Sequence, residues 1–152
     1  MLSLKNILIC TDFSENADFA FDFALNLAGH YPGSVLHVLH VLPEPAAQFW
    51  RGYINEVDNV EDKAREEINA LFASYKNRAP AGCELQAVVR FGKPGEEILA
   101  YAKSVSSDMI VVGRQGRGAI FFGNTAAHVA KSAACPVLVL PLDFKKLKGW
   151  TP

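Results

Sequence analysis

Five short apolar runs alternate along this chain with four stretches whose apolar residues recur every three to four positions, and that alternation limits the fold more than any other feature. The runs are Asn6 to Thr11, Ser34 to Val41, Leu85 to Arg90, Met109 to Val112 and Pro136 to Leu140. Between them, Ala17, Ala20, Phe21, Ala24 and Ala28 share one helical face. Ser14 opens it as a candidate N-cap, with Glu15 and Asp18 in the first turn. Val57, Val60, Ala64, Ile68, Leu71 and Tyr75 form a second face, Ile98, Ala102 and Val105 a third, and Ala126, Val129, Ala130 and Ala133 a fourth. Crossovers of this length join parallel strands and cover them with helices. The expected architecture is an α/β fold: a five-stranded parallel open sheet, doubly wound, with helices on both faces. Such sheets bind ligands outside the carboxyl ends of the strands, where the strand order reverses. The positions to inspect are therefore Thr11-Asp12, Val41-Leu42, Phe91-Gly92 and Val112-Gly113.

With 152 residues the chain is long enough for one domain that buries roughly two thirds of its unfolded surface. Residues 1–142 are read as that domain and 143–152 as a basic tail with three lysines. Fifteen basic and sixteen acidic side chains leave a net charge of −1, which argues against general attraction to nucleic acid or membrane. A charged partner must be met locally. Cys10, Cys83 and Cys135 form no CxxC pair and are expected to be reduced and structural. Neither a signal h-region nor an apolar run of membrane-spanning length is visible, so a cytoplasmic protein is expected. Pro43 to Tyr53, rich in proline and aromatic residues, is expected to be a loop at the end of the second strand, with Phe49-Trp50 as a lid.

The chemistry concentrates after the fourth run. Gly113-Arg114-Gln115-Gly116-Arg117-Gly118 follows a buried strand, and Gly123-Asn124-Thr125 then opens the last helical stretch. Glycines let a ligand approach the main chain, the arginines supply positive charge, and Asn124 or Thr125 is placed to cap the helix. Phosphate suits such a turn; the bland alternative is a tight turn followed by a helix start. No GxxxxGK[ST] occurs, and no GxGxxG follows the first strand, so both common nucleotide motifs are excluded. His37 and His40 are an odd number of residues apart on a strand, point to opposite faces and cannot share one ion. His40 reads as a hydrogen-bonded core histidine. His30 and His128 have no partner at metal-ligand spacing. The pairs Glu66-Glu67 and Glu96-Glu97 fit solvated helix faces or first turns. No Ser/His/Asp order suggests a triad.

The segments Ile7-Leu8-Ile9-Cys10-Thr11-Asp12-Phe13-Ser14-Glu15, Leu39-His40-Val41, Gly92-Lys93-Pro94, Asp108 to Gly113 and Ala134 to Val139 occur in an order and spacing that resembles the universal stress protein family, from Lys5 to Leu140. The resemblance implies a sheet of the adenine-nucleotide alpha-hydrolase-like type, a homodimer and, in one branch, an ATP-binding protein. In that branch Asp12 matches an aspartate at the ribose and phosphate end, with Thr11 beside it, and Val41 matches a residue that packs on adenine. Val112 ends the fourth strand, and Gly113 and Gly116 match a GxxG that precedes nine residues and then Gly-Ser or Gly-Thr. Here only six residues separate Gly116 from Gly123, Asn124 follows, and Thr125 sits one position late. Six extended residues still span up to roughly 20 Å, enough for Gly123 to reach the phosphates. The implied ligand is ATP, accompanied by Mg2+ or Mn2+, held by Thr11, Asp12, Val41, Val112, Gly113, Gly116, Gly123, Asn124 and Thr125. The implied activity is regulatory, with slow ATP hydrolysis or autophosphorylation at most; a nucleotide-free dimeric interaction protein is the alternative. Pro136 to Leu140, an apolar strand at the sheet edge, is the expected homodimer surface.

Overall fold

Ile7, Leu8 and Ile9 are all fully buried, as a strand covered on both faces requires, and they form the middle of the sheet. The computed structural model describes residues 3–43, 60–114 and 123–141, together with 144 and 149. Strands β1 (Asn6–Cys10), β2 (Val35–Pro43), β3 (Glu84–Gly92), β4 (Met109–Arg114) and β5 (Val137–Pro141) lie in the order β3-β2-β1-β4-β5. Every pairing is parallel. The chain first builds outward from β1 through β2 to β3, then crosses back to place β4 on the other side of β1. The order therefore reverses between β1 and β4.

Side-chain alternation along the strands sorts the core into two layers. Ile7, Ile9, Leu36, Val38 and Val111 face α1 (Glu15–Gly29) and α2 (Val60–Arg78), meeting Phe19, Phe21, Ile68, Phe72 and Tyr75. Leu8, Cys10, Leu39, Val41, Ile110 and Val112 face α3 (Pro94–Ser104) and α4 (Gly123–Ser132), meeting Ile98, Tyr101, Ala126 and Val129. Ser14 caps α1 by accepting from Ala17 N–H at 3.3 Å, with Glu15 and Asp18 in the first turn as expected. At the amino end of the sheet, the Asp108 carboxylate accepts from the Lys5 and Asn6 amides at 2.8 and 2.9 Å. That carboxylate fixes where β1 begins.

Three expectations need adjustment. β2 ends at Pro43 and β3 at Gly92, each two residues beyond the apolar run, because these neighbours keep pairing to their ends. Gly113 lies inside β4, opposite Leu140, rather than in a turn after it. Leu71 is 42% exposed whereas Phe72 is buried: at 100° per residue, Ile68, Phe72 and Tyr75 fall on one face and Leu71 falls outside it.

Candidate functional site

Where β1 leaves the sheet, four consecutive residues are held by their own side chains. Thr11 Oγ1 accepts from the Phe13 amide at 2.9 Å and shares a hydrogen with the Tyr75 hydroxyl at 2.8 Å. Asp12 Oδ1 accepts from the Ser14 amide at 2.9 Å. Phe13 takes a left-handed backbone, φ 60°, and its ring packs on His40, Phe72 and Tyr75 at centroid distances of 4.8, 5.5 and 5.7 Å. His40 Nδ1 lies 2.8 Å from the Thr11 carbonyl. A carbonyl can only accept, so Nδ1 carries the proton in the neutral ring. Burial pulls His40 below the ordinary histidine range, against the Thr11 carbonyl and the charge of Asp12, and Nδ1 therefore stays a neutral donor.

This loop delivers the amino end of α1 to the reversal point between β1 and β4. A cleft there is walled by Asp12, Ser14 and Asn16 on the α1 side and by Thr125 and Ala126 on the α4 side, with Cys10, Val112 and Gly113 along the strands. Its empty space is about 330 Å³, part of it open to solvent. Two helix amino ends converge on it, and each brings main-chain N–H groups with partial positive charge. Gly113 makes the approach of α1 feasible: a Cβ there would sit 2.8 Å from the Asn16 carbonyl oxygen. The glycine is required by this contact and not by a turn. Burial pushes the Cys10 thiol far above its ordinary value, so it is a protonated apolar wall and not a nucleophile.

Of the residues singled out in the sequence, Asp12, Val112, Gly113 and Thr125 are brought together at this cleft. Thr11 is adjacent, but its hydroxyl is committed to Phe13 and Tyr75 on the opposite layer. Val41 is buried one strand away, packed with Leu39 and Cys10. Gly123 is the first residue of α4, so Asn124 and Thr125 lie within its first turn and are not its cap; Asn124 is exposed, Thr125 buried. Gly116, Gly118 and the Phe49-Trp50 segment lie outside the described residues. Among the described residues no cluster of three metal-ligating side chains occurs. The histidines divide as expected: His37 faces α3 and hydrogen-bonds Tyr101 and Asn6, whereas His40 faces the other layer. Sequence reasoning missed Asn16. Its signal is its position two residues after a serine N-cap, in a turn that must face the carboxyl edge of the sheet.

A parallel sheet with this strand order and a cleft at its reversal defines a doubly wound α/β protein, a class whose ligands sit at the switch point. A model of the universal stress protein family matches residues 3–141, and the chain belongs to that family. Universal stress protein MJ0531 of Methanocaldococcus jannaschii is 30% identical over 151 residues, covering 93% of this chain and 85% of its own. The solved structure of hypothetical protein MJ0577 superposes with a TM-score of 0.77 at 27% identity, covering 92% of this chain and 97% of that one. A universal stress protein solved in complex with cAMP shares the fold at a TM-score of 0.68 and 21% identity, covering 92% and 98%. One from Archaeoglobus fulgidus in complex with dAMP shares it at 0.61 and 22%, covering 91% and 98%.

Proposed function

We propose that this chain binds an adenine nucleotide, ATP foremost, at the cleft between β1 and β4 and acts as a nucleotide-responsive regulatory module of the cytosol. The observation that carries this reading is the convergence of the amino ends of α1 and α4 on one cleft that also contains Asp12, Gly113 and Thr125. Helix amino ends favour phosphate, and a carboxylate favours sugar hydroxyls. Universal stress proteins of the same fold that hold cAMP and dAMP support adenine as the base. Ribose is assigned to Asp12, adenine to the Val41 side, and the outer phosphates to Gly116, Gly123, Asn124 and Thr125. Among the described residues Asp12 is the one carboxylate lining the cleft, so an accompanying Mg2+ or Mn2+ would take its remaining ligands from phosphate and water. Three unpaired cysteines suit a reducing compartment. The unit of function is read as a homodimer through Pro136 to Leu140, because β5 pairs only with β4 among the described strands.

Calorimetric titration of the purified chain with ATP, AMP and cAMP tests the reading, together with mass spectrometry of small molecules released on denaturation. Binding is expected, and Asp12→Asn, which keeps the Oδ1 that holds the Ser14 amide, is expected to weaken it about tenfold. The three-residue shortening between Gly116 and Gly123 favours a second reading, a nucleotide-free interaction protein of the same fold. No released nucleotide and no heat with any of the three would end the first reading and support the second.

A further inference from the structure

Asn16 lies in the first turn of α1, is only 8% exposed, and lines the cleft beside Asp12, Gly113 and Thr125. Its Oδ1 is buried and has no hydrogen-bond partner among the described residues. Buried amide oxygens are nearly always satisfied, because desolvating one without a partner is costly. The hydroxyls close to it in the chain are already engaged: Ser14 Oγ holds the Ala17 amide, and Thr11 Oγ1 holds the Phe13 amide and meets Tyr75. A small aliphatic side chain would pack at this position without the penalty. The amide is explained if the molecule that fills the cleft brings a donor to it.

The chemistry of the missing donor is narrow. At neutral pH a phosphodiester or polyphosphate presents acceptors, which cannot satisfy an amide oxygen. The donors of an adenine nucleotide are its sugar hydroxyls and the adenine amino group, and the base is assigned to the Val41 side, one strand away. The cleft also differs from side to side: on the α1 side, where the Ala17 and Asp18 amides are already taken by Ser14, the Asp12 carboxylate and Asn16 Oδ1 add side-chain acceptors, and the first turn of α4 with Thr125 stands opposite. A nucleotide matches that difference with its sugar toward α1 and its phosphates toward α4. We infer that Asn16 Oδ1 accepts a hydrogen bond from a ribose hydroxyl of the bound nucleotide, so that the site prefers ribonucleotides to their deoxy counterparts. This inference rests on the nucleotide-binding reading above and adds to it a specificity-determining residue.

The test is titration of the full chain and of Asn16→Leu with ATP, 2′-deoxy-ATP and 3′-deoxy-ATP. The wild type is expected to bind at least one deoxy analogue about 3- to 10-fold more weakly than ATP, the value of one neutral hydrogen bond. In Asn16→Leu the ratio is expected to fall to about 1, while the thermal midpoint of the free protein equals or exceeds that of the wild type, because an unsatisfied amide has been removed. Asn16→Asp keeps an acceptor and is expected to keep the discrimination. If the wild type binds all three nucleotides equally, or Asn16→Leu discriminates as the wild type does, the role of Asn16 is overturned and nucleotide binding stands. If the wild type binds none of the three, both readings fall together.

Discussion

Phe13 keeps a backbone conformation that bulky residues avoid, because its ring is gripped by His40, Phe72 and Tyr75. Backbone cost and ring packing can be separated by mutation. Phe13→Ala and Phe13→Gly both lose the ring, but glycine tolerates positive φ, so the alanine variant should be the less stable by about 1 kcal/mol in urea denaturation. Gly113→Ala places a methyl 2.8 Å from the main-chain oxygen of Asn16, which cannot swing away as a side chain would. Its expected cost is about 1–3 kcal/mol, read from the same denaturation curves, with α1 displaced from the cleft. His37 and His40 set the pH response. Burial lowers both below the ordinary value of 6.5, so the unfolded chain takes up protons first as pH falls through that value. Stability is expected to be level from about pH 7 to 8, below the range in which the unfolded Cys10 thiol ionises, and to decline from about 6.5 toward the lower folded-state values; denaturation midpoints at pH 7.5 and 5.5 check this, and His40→Gln should remove part of the decline. At this scale the sequence marked Ser14 as the cap it is and placed Asp12 at the edge; it marked Gly113 too, but for a turn, whereas the glycine serves the close approach of α1. It did not announce Asn16, since an asparagine in a first helical turn is usually solvated, and only the tertiary packing around the cleft buries it.

Between elements, α1 and α2 meet through the stacked rings of Phe21 and Tyr75, 4.2 Å apart, and through one bridging cation. Arg78, at the end of α2, donates from its two terminal nitrogens to Asp18 and Asp22 of α1, and its guanidinium lies over the rings of Phe21 and Tyr75 at 5.0 and 5.4 Å. Burial works against its charge, but the two carboxylates outweigh that effect and hold its pKa above the ordinary value. A lysine has a point charge and no fork. Arg78→Lys should therefore cost about 0.5–1 kcal/mol, a modest figure because the pair is partly solvated, and Arg78→Ala somewhat more. Equilibrium unfolding in urea with and without added salt measures both. The existence and type of the described elements could be read from period alone, and α1 could be read together with its cap. The phase of α2 could not, because Leu71 and Phe72 are both apolar and only the opposing layer decides which one is buried.

For the whole molecule, the alternation of strands and helices dictated a parallel sheet with two helical layers, and it pointed to the carboxyl edge as the place for a ligand. The order of the strands was not legible, since it depends on which edge each crossover returns to. With β5 at one edge, Val137 and Val139 half-buried, and one ladder face unpaired among the described strands, a second copy is the proposed cover. Analytical ultracentrifugation at micromolar concentration should show a dimer, and Val139→Glu should shift it to monomer while the far-UV circular dichroism is kept. A wild-type monomer would leave the edge to its flanking prolines, Pro136 and Pro141.

β1 is fastened at both extremities, by Asp108 where it enters the sheet and by the Thr11, Tyr75 and His40 bonds where it leaves. The amide hydrogens of Ile7 to Cys10 should therefore exchange with deuterium only when the entire chain unfolds, at a rate indifferent to added nucleotide beyond the gain in global stability. Whatever signal a ligand sends must then leave through the surrounding helices and loops, with the central strand serving as the stationary frame against which they shift.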